Sequence, residues 1–335
     1  MVDLNILKDS EERSFTTIEK IEFEKTHSIM DDIRFWPSYA SIEYYPGYAQ
    51  GGKWINQYKT KCVGGACLRQ SFWAAKGEHK TNYTSGKNIL KMKAGDAIEE
   101  QQIDIYRQDG ILFEPPENKN NEKPAEIKFE NFIDKSTFQK CKSKTSNVMK
   151  MSGKADCFLI NKNKKMIGVE IKSSYSYWFV KNVSVFPKII NLLQTMLYLH
   201  KFQADLNPDE KYKVEYFKIR YIDRGAFDNF VHTVYLINHD NIFYPVINGV
   251  VAKNITLNAV YERYLKLNNY LLNNEVPPMD YQPIYTDERF EALKIAGQLT
   301  SKKCKDKVAG IPIGDFLCRY CPYRTKCKLY EENKL

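Results

Sequence analysis

The sequence predicts a single α/β core with additions at both ends. Of its 335 residues, 43% are hydrophobic, which is enough for one large core or two small ones. The predicted elements run from helices to strands and one strongly apolar helix, and then to further strands and helices. No internal repeat and no strong domain linker interrupts this order.

Composition excludes several classes of protein. The hydrophobic content excludes a disulfide-stapled mini-protein and an intrinsically disordered chain. The chain has no run of about eighteen apolar residues, so no membrane span is predicted. Its first residues lack a basic region followed by an apolar stretch, so no signal peptide is predicted, and we expect a cytoplasmic protein, in the host cytoplasm if the chain is viral. The net charge of +9 is compatible with a polyanionic partner.

The first third of the chain predicts mainly helices. Residues 1–34 are polar and charged, typical of an N-terminal extension. A short helix is predicted over 66–76 and a longer one over 87–109, where apolar residues recur at helical spacing. Residues 115–150 are rich in Lys, Asn, Glu and Pro, which predicts a solvated insertion with a strand-like piece around 126–132.

The clearest β pattern follows the insertion. Residues 155–160 and 166–172 are two short apolar runs, and the polar turn 161–165 separates them, which predicts an antiparallel hairpin. The later elements are an apolar helix, two strands and two helices. Their predicted ranges are 186–202, 213–221, 230–238, 258–272 and 286–299.

The hairpin carries a cluster of charged residues. Glu170 and Lys172 are two positions apart and therefore project from the same face of their strand, and the turn can bring Asp156 across from them. Val169 and Ile171 then point to the opposite face, into the core. Two carboxylates facing one point suit Mg²⁺ or Mn²⁺, and a neighbouring lysine can orient the attacking water. The alternative is an exposed hairpin face with solvated charges.

The cysteines form the second cluster. Eight Cys in a chain without a secretory signal favour metal or cluster ligation over disulfides. Cys318, Cys321 and Cys327 have the spacing C-x2-C-x5-C, which lets the paired thiolates reach one metal centre. A fourth ligand must come from elsewhere, and either an iron–sulfur cluster or structural zinc fits four thiolates.

Three motifs in order resemble a nuclease family. The segment Gly153–Asp156 followed by Gly168–Ser173 looks like the catalytic core of PD-(D/E)xK nucleases, with Ala155 in place of the proline. Gln194 and Tyr198, one helical turn apart, resemble the Q-x-x-x-Y motif of the RecB-like branch. Cys67, at the start of a C-x-R-x-(aromatic) segment, resembles the first cluster ligand of iron–sulfur RecB-like nucleases.

The resemblance covers the chain from about residue 37 to residue 327. It implies a restriction-endonuclease-like core, a mixed central sheet flanked by helices, with N- and C-terminal helical segments joined by an iron–sulfur cluster. Residues 35–335 then form one nuclease domain, with cluster-binding segments near 62–73 and 304–327.

The resemblance also implies the roles of the hairpin residues. Asp156 and Glu170 would bind Mg²⁺ or Mn²⁺, together with the backbone carbonyl of Ile171. Glu99 stands where the family often has a metal-binding histidine, and Glu100 is its nearest competitor. Lys172 would position the attacking water, while Gln194 and Tyr198 would hold the DNA strand.

A 4Fe–4S cluster is implied on one N-terminal and three C-terminal cysteines. The ligands would be Cys67, Cys318, Cys321 and Cys327, and the cluster would be structural. Cys62 competes for the N-terminal position and Cys304 is a weaker competitor near the other end. Cys157 is expected in the core and Cys141 in the insertion.

The implied function is metal-dependent hydrolysis of phosphodiester bonds in DNA. Members of this family suggest an exonuclease acting on single-stranded DNA or DNA ends, in recombination, repair, CRISPR adaptation or phage DNA metabolism. An integrase, a helicase or further copies of the chain are possible partners, and no membrane partner is expected. The alternatives are a non-catalytic iron–sulfur DNA-binding subunit and a zinc-stabilised binding module.

Overall fold

The computed structural model describes the chain in separate stretches. The described residues are 19–21, 42–45, 47–50, 53–56, 62–63, 67–80, 82, 86–118, 123–134, 148–174, 183–184, 186–253, 255–295, 299, 301–314, 318 and 321–332. Cys141 and most of the predicted N-terminal extension lie outside them.

The strands and helices are numbered in chain order within the described residues. The strands are β1 (Glu19–Ile21), β2 (Ile42–Tyr45), β3 (Gly47–Gln50), β4 (Lys53–Asn56), β5 (Cys62–Val63), β6 (Leu112–Phe113), β7 (Ile127–Asp134), β8 (Val148–Ala155), β9 (Cys157–Ile160), β10 (Met166–Ser174), β11 (Val214–Asp223), β12 (Asn229–His239), β13 (Ile242–Ile247) and β14 (Val250–Ala252). The helices are α1 (Leu68–Ala75), α2 (Gly86–Gln108), α3 (Ile189–Phe202), α4 (Leu257–Asn273), α5 (Asp287–Ile295), α6 (Ser301–Val308) and α7 (Arg324–Glu331).

A mixed central sheet organises the fold. Its strand order across the described residues is β1-β14-β13-β12-β11-β10-β9-β6. β10 runs parallel to β11 and β1 runs parallel to β14, whereas the other neighbours are antiparallel. The predicted α/β class with a mixed sheet and flanking helices is therefore confirmed at this level.

The predicted hairpin is present as β9 and β10. Its register pairs Ile160 with Met166 and Cys157 with Val169. The side chain of Asn161 organises the turn, because its Oδ1 accepts hydrogen bonds from the backbone N–H groups of Asn163 and Lys165 at 3.0 and 2.9 Å. A polar side chain that bonds to its own backbone favours a turn, as the sequence pattern indicated.

Alternate residues of β10 enter two different cores. Ile167, Val169 and Ile171 lie in a cluster with Tyr106 of α2, so α2 covers this face of the sheet. The opposite face packs against α3 in the larger core, which also contains residues of α1 and α4. Glu170 and Lys172 therefore lie on the face opposite Val169 and Ile171, as predicted, and the structure shows that this face packs against α3.

The residues just before the hairpin belong to a second sheet. β8 pairs antiparallel with β7 along its full length and with β2 on its other side. The strand-like piece predicted around 126–132 is thus confirmed as β7. Residue 156 is a bend between β8 and β9, so the chain passes from the second sheet to the central sheet at this residue.

Two hairpins toward the opposite edge of the central sheet, β12–β13 and β13–β14, were not predicted. Asp240 and Asn241 connect β12 to β13, and Asn248 and Gly249 connect β13 to β14, all four with positive φ. Two-residue loops of this kind match the twist of antiparallel strands, and Asn-Gly is a strong sequence signal for them.

The observed helices agree with the predicted ranges to within a few residues, except near the C-terminus. α3 begins three residues later than predicted, because its N-cap is Lys188, directly after Pro187. α6 and α7 were not predicted; they are eight residues long and polar, and neither has a buried residue among those described. No helix in the described stretches is long and apolar enough to cross a membrane.

Candidate active site and cysteine pocket

The hairpin brings Asp156, Glu170 and Lys172 to one place. Asp156 sits at the bend before β9, where its Oδ2 accepts a hydrogen bond from the backbone N–H of Ile171 at 2.7 Å. This contact anchors the carboxylate just beyond the last β9–β10 pair, Cys157 and Val169. Asp156 therefore approaches Glu170 and Lys172 from the neighbouring chain segment.

Glu170 is fully buried and has only one of its two oxygens satisfied. Its exposed fraction is 0%. Oε1 accepts a hydrogen bond from Gln194 Nε2 at 2.7 Å and forms an ion pair with the Lys172 ammonium. Oε2 is also buried but has no hydrogen-bond partner among the described residues. A buried carboxylate oxygen without a partner is energetically unfavourable, and a bound cation would satisfy it.

Gln194 and Tyr198 connect Glu170 to the second sheet. Gln194 Nε2 lies 2.7 Å from Tyr198 Oη as well as from Glu170, and the Tyr198 hydroxyl donates to the backbone oxygen of Lys154 at 2.7 Å. Tyr198 has an exposed fraction of 0% and Gln194 is also buried. This burial favours a positioning role over the direct contact with DNA that the resemblance implies.

Glu99 reaches the same region from α2. Its Oε1 is 3.2 Å from the Lys123 ammonium, which also lies 3.8 Å from a carboxylate oxygen of Glu126. Burial, and then the negative charge of Asp156, raise the pKa of Glu99 to about 7, which places these two carboxylates within electrostatic reach of each other. Glu100, the alternative to Glu99, is exposed on α2.

Burial and mutual repulsion raise the pKa values of the carboxyl groups in this site. Burial is the largest cause that raises the pKa of Asp156 and of Glu170. The charge of Glu170 raises the pKa of Asp156 further, and the positive charge of Lys172 lowers the pKa of both carboxyl groups. Burial lowers the pKa of Lys172, but the nearby Glu170 and Asp156 outweigh it, so that the pKa is raised and the side chain is a cation at neutral pH.

Such an arrangement provides hard oxygen ligands beside a fixed positive charge. Carboxylate oxygens are the donors that Mg²⁺ and Mn²⁺ prefer, and an ammonium group can orient a polar substrate. Among the described residues, no group of three or more His, Cys, Asp or Glu side chains already has the arrangement of a metal site. The carbonyl ligation implied for Ile171 stays a prediction.

Lys123 and Arg224 were not singled out from the sequence. Arg224, just after β11, donates from Nε and Nη2 to Ser173 Oγ at 3.0 and 2.9 Å, and from Nη1 to the backbone oxygen of Lys91 in α2 at 3.0 Å. Its guanidinium lies against Gly95, where a β-carbon would come within 2.8 Å of Nη2. No local sequence signal predicts the contacts of Arg224 with Ser173 and Lys91, because they join segments more than fifty positions apart.

The four cysteines assigned to the cluster line one pocket. Cys67 comes directly before α1, and the other three belong to the C-terminal segment that includes α7. The lining consists of Cys67, Arg69, Gln70, Trp73, Met279, Tyr281, Pro283, Cys318, Cys321, Tyr323, Arg324 and Cys327. The folding of the chain therefore brings the N-terminal and C-terminal cysteines to one pocket, and their ligation of a cluster stays a prediction.

Burial dominates the acid–base behaviour of two pocket cysteines, Cys67 and Cys321. Burial, and then the charge of Asp280, raise the pKa of Cys67. The pKa of Cys321 is raised to about 11, chiefly by burial and also by the nearby Cys67 and Cys327. Thiols in such surroundings need a cation before the thiolate becomes favourable, and a metal ion supplies one.

The other cysteines lie elsewhere or are not described. Cys157 is fully buried in the core beneath α2, as predicted. Cys304 on α6 packs against a small cluster around Tyr285 and Phe290 rather than in the pocket. Cys62 belongs to β5, for which the structure describes the backbone course and not the side chain.

Comparison with known proteins finds no family model, no curated protein and no solved structure that matches the chain.

Proposed function

We propose that this protein is a metal-dependent deoxyribonuclease of the RecB-like PD-(D/E)xK type, with an iron–sulfur cluster. The reaction is hydrolysis of phosphodiester bonds, and the substrate class is single-stranded DNA or DNA ends. This proposal extends the sequence resemblance, which rests on motifs that span most of the chain.

The observation that carries the proposal is the surroundings of Glu170. A fully buried carboxylate has one oxygen bound by Gln194 and Lys172 and the other without a partner in the described chain, close to Asp156 and Glu99. A purely structural carboxylate in a core would be expected to have both oxygens satisfied. An oxygen held free beside two further carboxylates suits a cation site.

The residues present fit a divalent ion. Asp156, Glu170 and Glu99 would hold Mg²⁺ or Mn²⁺, which when bound polarises the phosphoryl group and activates water. The Ile171 N–H orients Asp156, and Gln194 fixes the rotamer of Glu170. These contacts keep the ligands in place before substrate arrives.

Lys172 supplies a permanent positive charge at the mouth of this site. Its side chain is 29% exposed, whereas its partner Glu170 is not exposed at all. An ammonium in this position can orient the attacking water and stabilise the negative charge that grows on the phosphate oxygens. Because its pKa is raised, Lys172 acts as a charge and hydrogen-bond donor rather than as a base at neutral pH.

The pocket of Cys67, Cys318, Cys321 and Cys327 fits a soft metal centre. Four sulfur donors suit a 4Fe–4S cluster or zinc, and the buried thiols of Cys67 and Cys321 need a cation to ionise. The resemblance favours the cluster. Its role would be structural, because the pocket joins α1 to the C-terminal segment and hydrolysis requires no electron transfer.

A cleavage assay tests the nuclease proposal. End-labelled single-stranded and duplex DNA are incubated with Mg²⁺, Mn²⁺ or EDTA, using the wild type, Glu170→Gln and Lys172→Met. We expect metal-dependent cleavage that falls at least about 100-fold in both variants, since each removes a charged group from the reacting centre. Circular dichroism checks that both variants fold.

Lys165 and Glu215 provide the matched control. They form an ion pair between the start of β10 and β11, with Lys165 well exposed. Lys165→Met and Glu215→Gln make the same chemical changes outside the site and should leave cleavage within about twofold, as surface substitutions usually do. Cleavage that survives Glu170→Gln would remove this site from the mechanism, and DNA binding without cleavage by the wild type would favour a non-catalytic subunit.

A further inference from the structure

Arg69 is buried on the wall of the cysteine pocket. It lies in the first turn of α1, and its side chain is only 5% exposed. A guanidinium in such a place needs hydrogen-bond acceptors for its N–H groups, because burying an unsatisfied charge is strongly unfavourable. The identity of those acceptors indicates what the residue does.

Three acceptors surround the guanidinium. Nε donates to the backbone oxygen of Pro277 at 2.7 Å. Nη1 lies 2.5 Å from Glu331 Oε1 and 3.4 Å from Cys327 Sγ. The ring of Tyr330 also stacks against the guanidinium, 5.1 Å from Arg69 Cζ to the ring centroid. One N–H group is therefore directed at a sulfur atom of the predicted ligand set.

The carboxylate partner of Arg69 lies largely outside the pocket. The Glu331 side chain is 44% exposed, so water screens much of its charge. The positive charge of Arg69 thus remains available on the buried side, where its Nη1 lies 3.4 Å from Cys327 Sγ. A buried cation next to thiols favours whatever negative charge forms on sulfur.

Trp73 places a second N–H donor near the same pocket. It lines the pocket one helical turn after Arg69 and is 6% exposed. Its Nε1 is buried and has no hydrogen-bond partner among the described residues. A pocket wall with a buried guanidinium and an unsatisfied indole N–H is suited to an acceptor with negative charge.

We propose that Arg69 is a positioning residue for a metal–thiolate centre: it holds the sulfur of Cys327 as a ligand and neutralises part of the charge of the centre. This inference rests on the cofactor part of the proposed function. N–H donors around metal-bound sulfur tune the potential of iron–sulfur centres, and the loss of such outer contacts weakens metal binding by about 10- to 100-fold.

Arg263 is a matched control for Arg69. It is also a largely buried arginine near α1, and its Nη2 donates to Asp280 Oδ2 at 2.7 Å. The same carboxylate oxygen accepts from the backbone N–H of Leu68 at 2.6 Å, so this ion pair also supports α1. The hydrogen bond described for Arg263 goes to this carboxylate and not to a cysteine, and a change that merely loosened α1 would therefore affect both arginines alike.

The experiment compares the wild type, Arg69→Gln, Arg69→Lys and Arg263→Gln after anaerobic purification. Elemental analysis gives iron and zinc per chain, and the rate of metal loss to a chelator is then measured for each protein. We expect Arg69→Gln to lose metal at least tenfold faster than the wild type, and Arg263→Gln to stay within about threefold. Arg69→Lys keeps the charge and should lie between them; it also serves if Arg69→Gln does not fold.

For iron-loaded protein, the midpoint potential gives a readout that a loosened fold would not move. Removing a positive charge and an N–H donor beside Cys327 should make the potential of Arg69→Gln more negative, and by more than that of Arg263→Gln, whose charge is paired with Asp280. If the wild type holds zinc, the release rates alone decide the outcome. The inference is overturned if Arg69→Gln and Arg263→Gln behave alike.

A wild type without bound metal would also overturn the inference, and with it the cofactor part of the proposed function. The nuclease part would stand or fall separately, because the cleavage assay on Glu170→Gln and Lys172→Met does not depend on the cysteine pocket.

Discussion

The ring of Phe217 in β11 lies directly over Gly168 in β10. A β-carbon on Gly168 would overlap three atoms of this ring, so the contact requires a residue without a side chain. Both residues face the larger core, where the Phe217 ring also packs against Tyr198, with ring centroids 5.7 Å apart. The parallel pairing of β10 and β11 thus brings a large residue over a glycine two positions before Glu170.

Gly168→Ala should destabilise the fold. The added methyl group has to displace the Phe217 ring in a fully packed core, and such overpacking lowers the free energy of unfolding by about 1–3 kcal/mol. Urea unfolding followed by circular dichroism measures the change. Gly86→Ala is the control, because a β-carbon at Gly86 meets no atom within 4 Å.

The same overlap predicts coupling between the two positions. Phe217→Leu replaces the ring with a smaller side chain. Gly168→Ala should therefore lower the free energy of unfolding less in the Phe217→Leu background than in the wild type. Equal losses in both backgrounds would contradict the steric explanation.

Tyr198→Phe should weaken the support of Glu170. The hydroxyl accepts from Gln194 and donates to the oxygen of Lys154, and both groups lose a partner in the variant. We expect a loss of about 1–3 kcal/mol in the free energy of unfolding. Cleavage should slow as well, because Gln194 loses the contact with the Tyr198 hydroxyl that helps to hold it beside Glu170. Unfolding curves measure the change in stability, and single-turnover assays measure the change in cleavage rate.

Tyr212→Phe is the control for the tyrosine prediction. Its hydroxyl bonds to both oxygens of Glu117 in an exposed contact at 2.8 Å. Removing this hydroxyl should change the free energy of unfolding by less than about 0.5 kcal/mol, as is usual for surface positions. A Tyr198→Phe variant with normal stability and normal cleavage would show that the hydroxyl does not support the site.

Cysteine variants should separate the pocket from its surroundings. Cys318→Ser removes one of the proposed cluster ligands. If the pocket binds a 4Fe–4S cluster, the wild type purified without oxygen is brown with absorption at about 400 nm, and the variant should lose this colour and be less stable. Cys304→Ser changes a cysteine of the same C-terminal region outside the pocket and should keep the metal content of the wild type. Metal loss in Cys304→Ser with full retention in Cys318→Ser would overturn the assignment of ligands.

His200 should make stability depend on pH. Burial lowers the pKa of its imidazole to about 4, below the usual 6.5 of an unfolded chain. The unfolded state therefore binds the proton first, and the stabilising contribution of the neutral ring is lost as the pH falls from about 6.5 toward 4. The difference in unfolding free energy between the wild type and His200→Gln should shrink by about 2 kcal/mol between pH 7 and pH 5.

Tyr261→Phe controls for the hydrogen bond of this histidine. The Tyr261 hydroxyl lies 3.0 Å from His200 Nδ1, and the variant removes this contact while keeping the buried ring. Because burial causes the lowered pKa, Tyr261→Phe should retain the pH dependence of the wild type. A constant difference between wild type and His200→Gln at both pH values would contradict the prediction.

The hairpin of β9 and β10 was predictable because its pattern is local. Apolar runs on both sides of an Asn- and Lys-rich turn specify an antiparallel pair, and the alternation of β10 specifies which face carries Glu170. The helices α2 and α3 were predictable for the same reason, since their apolar residues recur within a few positions.

The second sheet and the contacts of Arg69 were not predictable in this way. β8 contains Ser, Gly and Lys, which form strands weakly, and it is stabilised by pairing with β7 and with the distant β2. Arg69 lies 258 positions before Cys327 and 262 before Glu331, with most of the core between them in the sequence. Propensity and periodicity carry no information about such distant pairs.

Arg69 and Cys327 are 258 positions apart along the chain, and yet their side chains touch. The chain between these two residues therefore forms a loop, and the side-chain contact joins the two ends of this loop. We expect tension that enters the chain at α1 and leaves it at α7 to load this contact, together with the hydrogen bonds from α1 to Pro277 and Asp280, before it stretches the strands that hold Glu170 and Lys172.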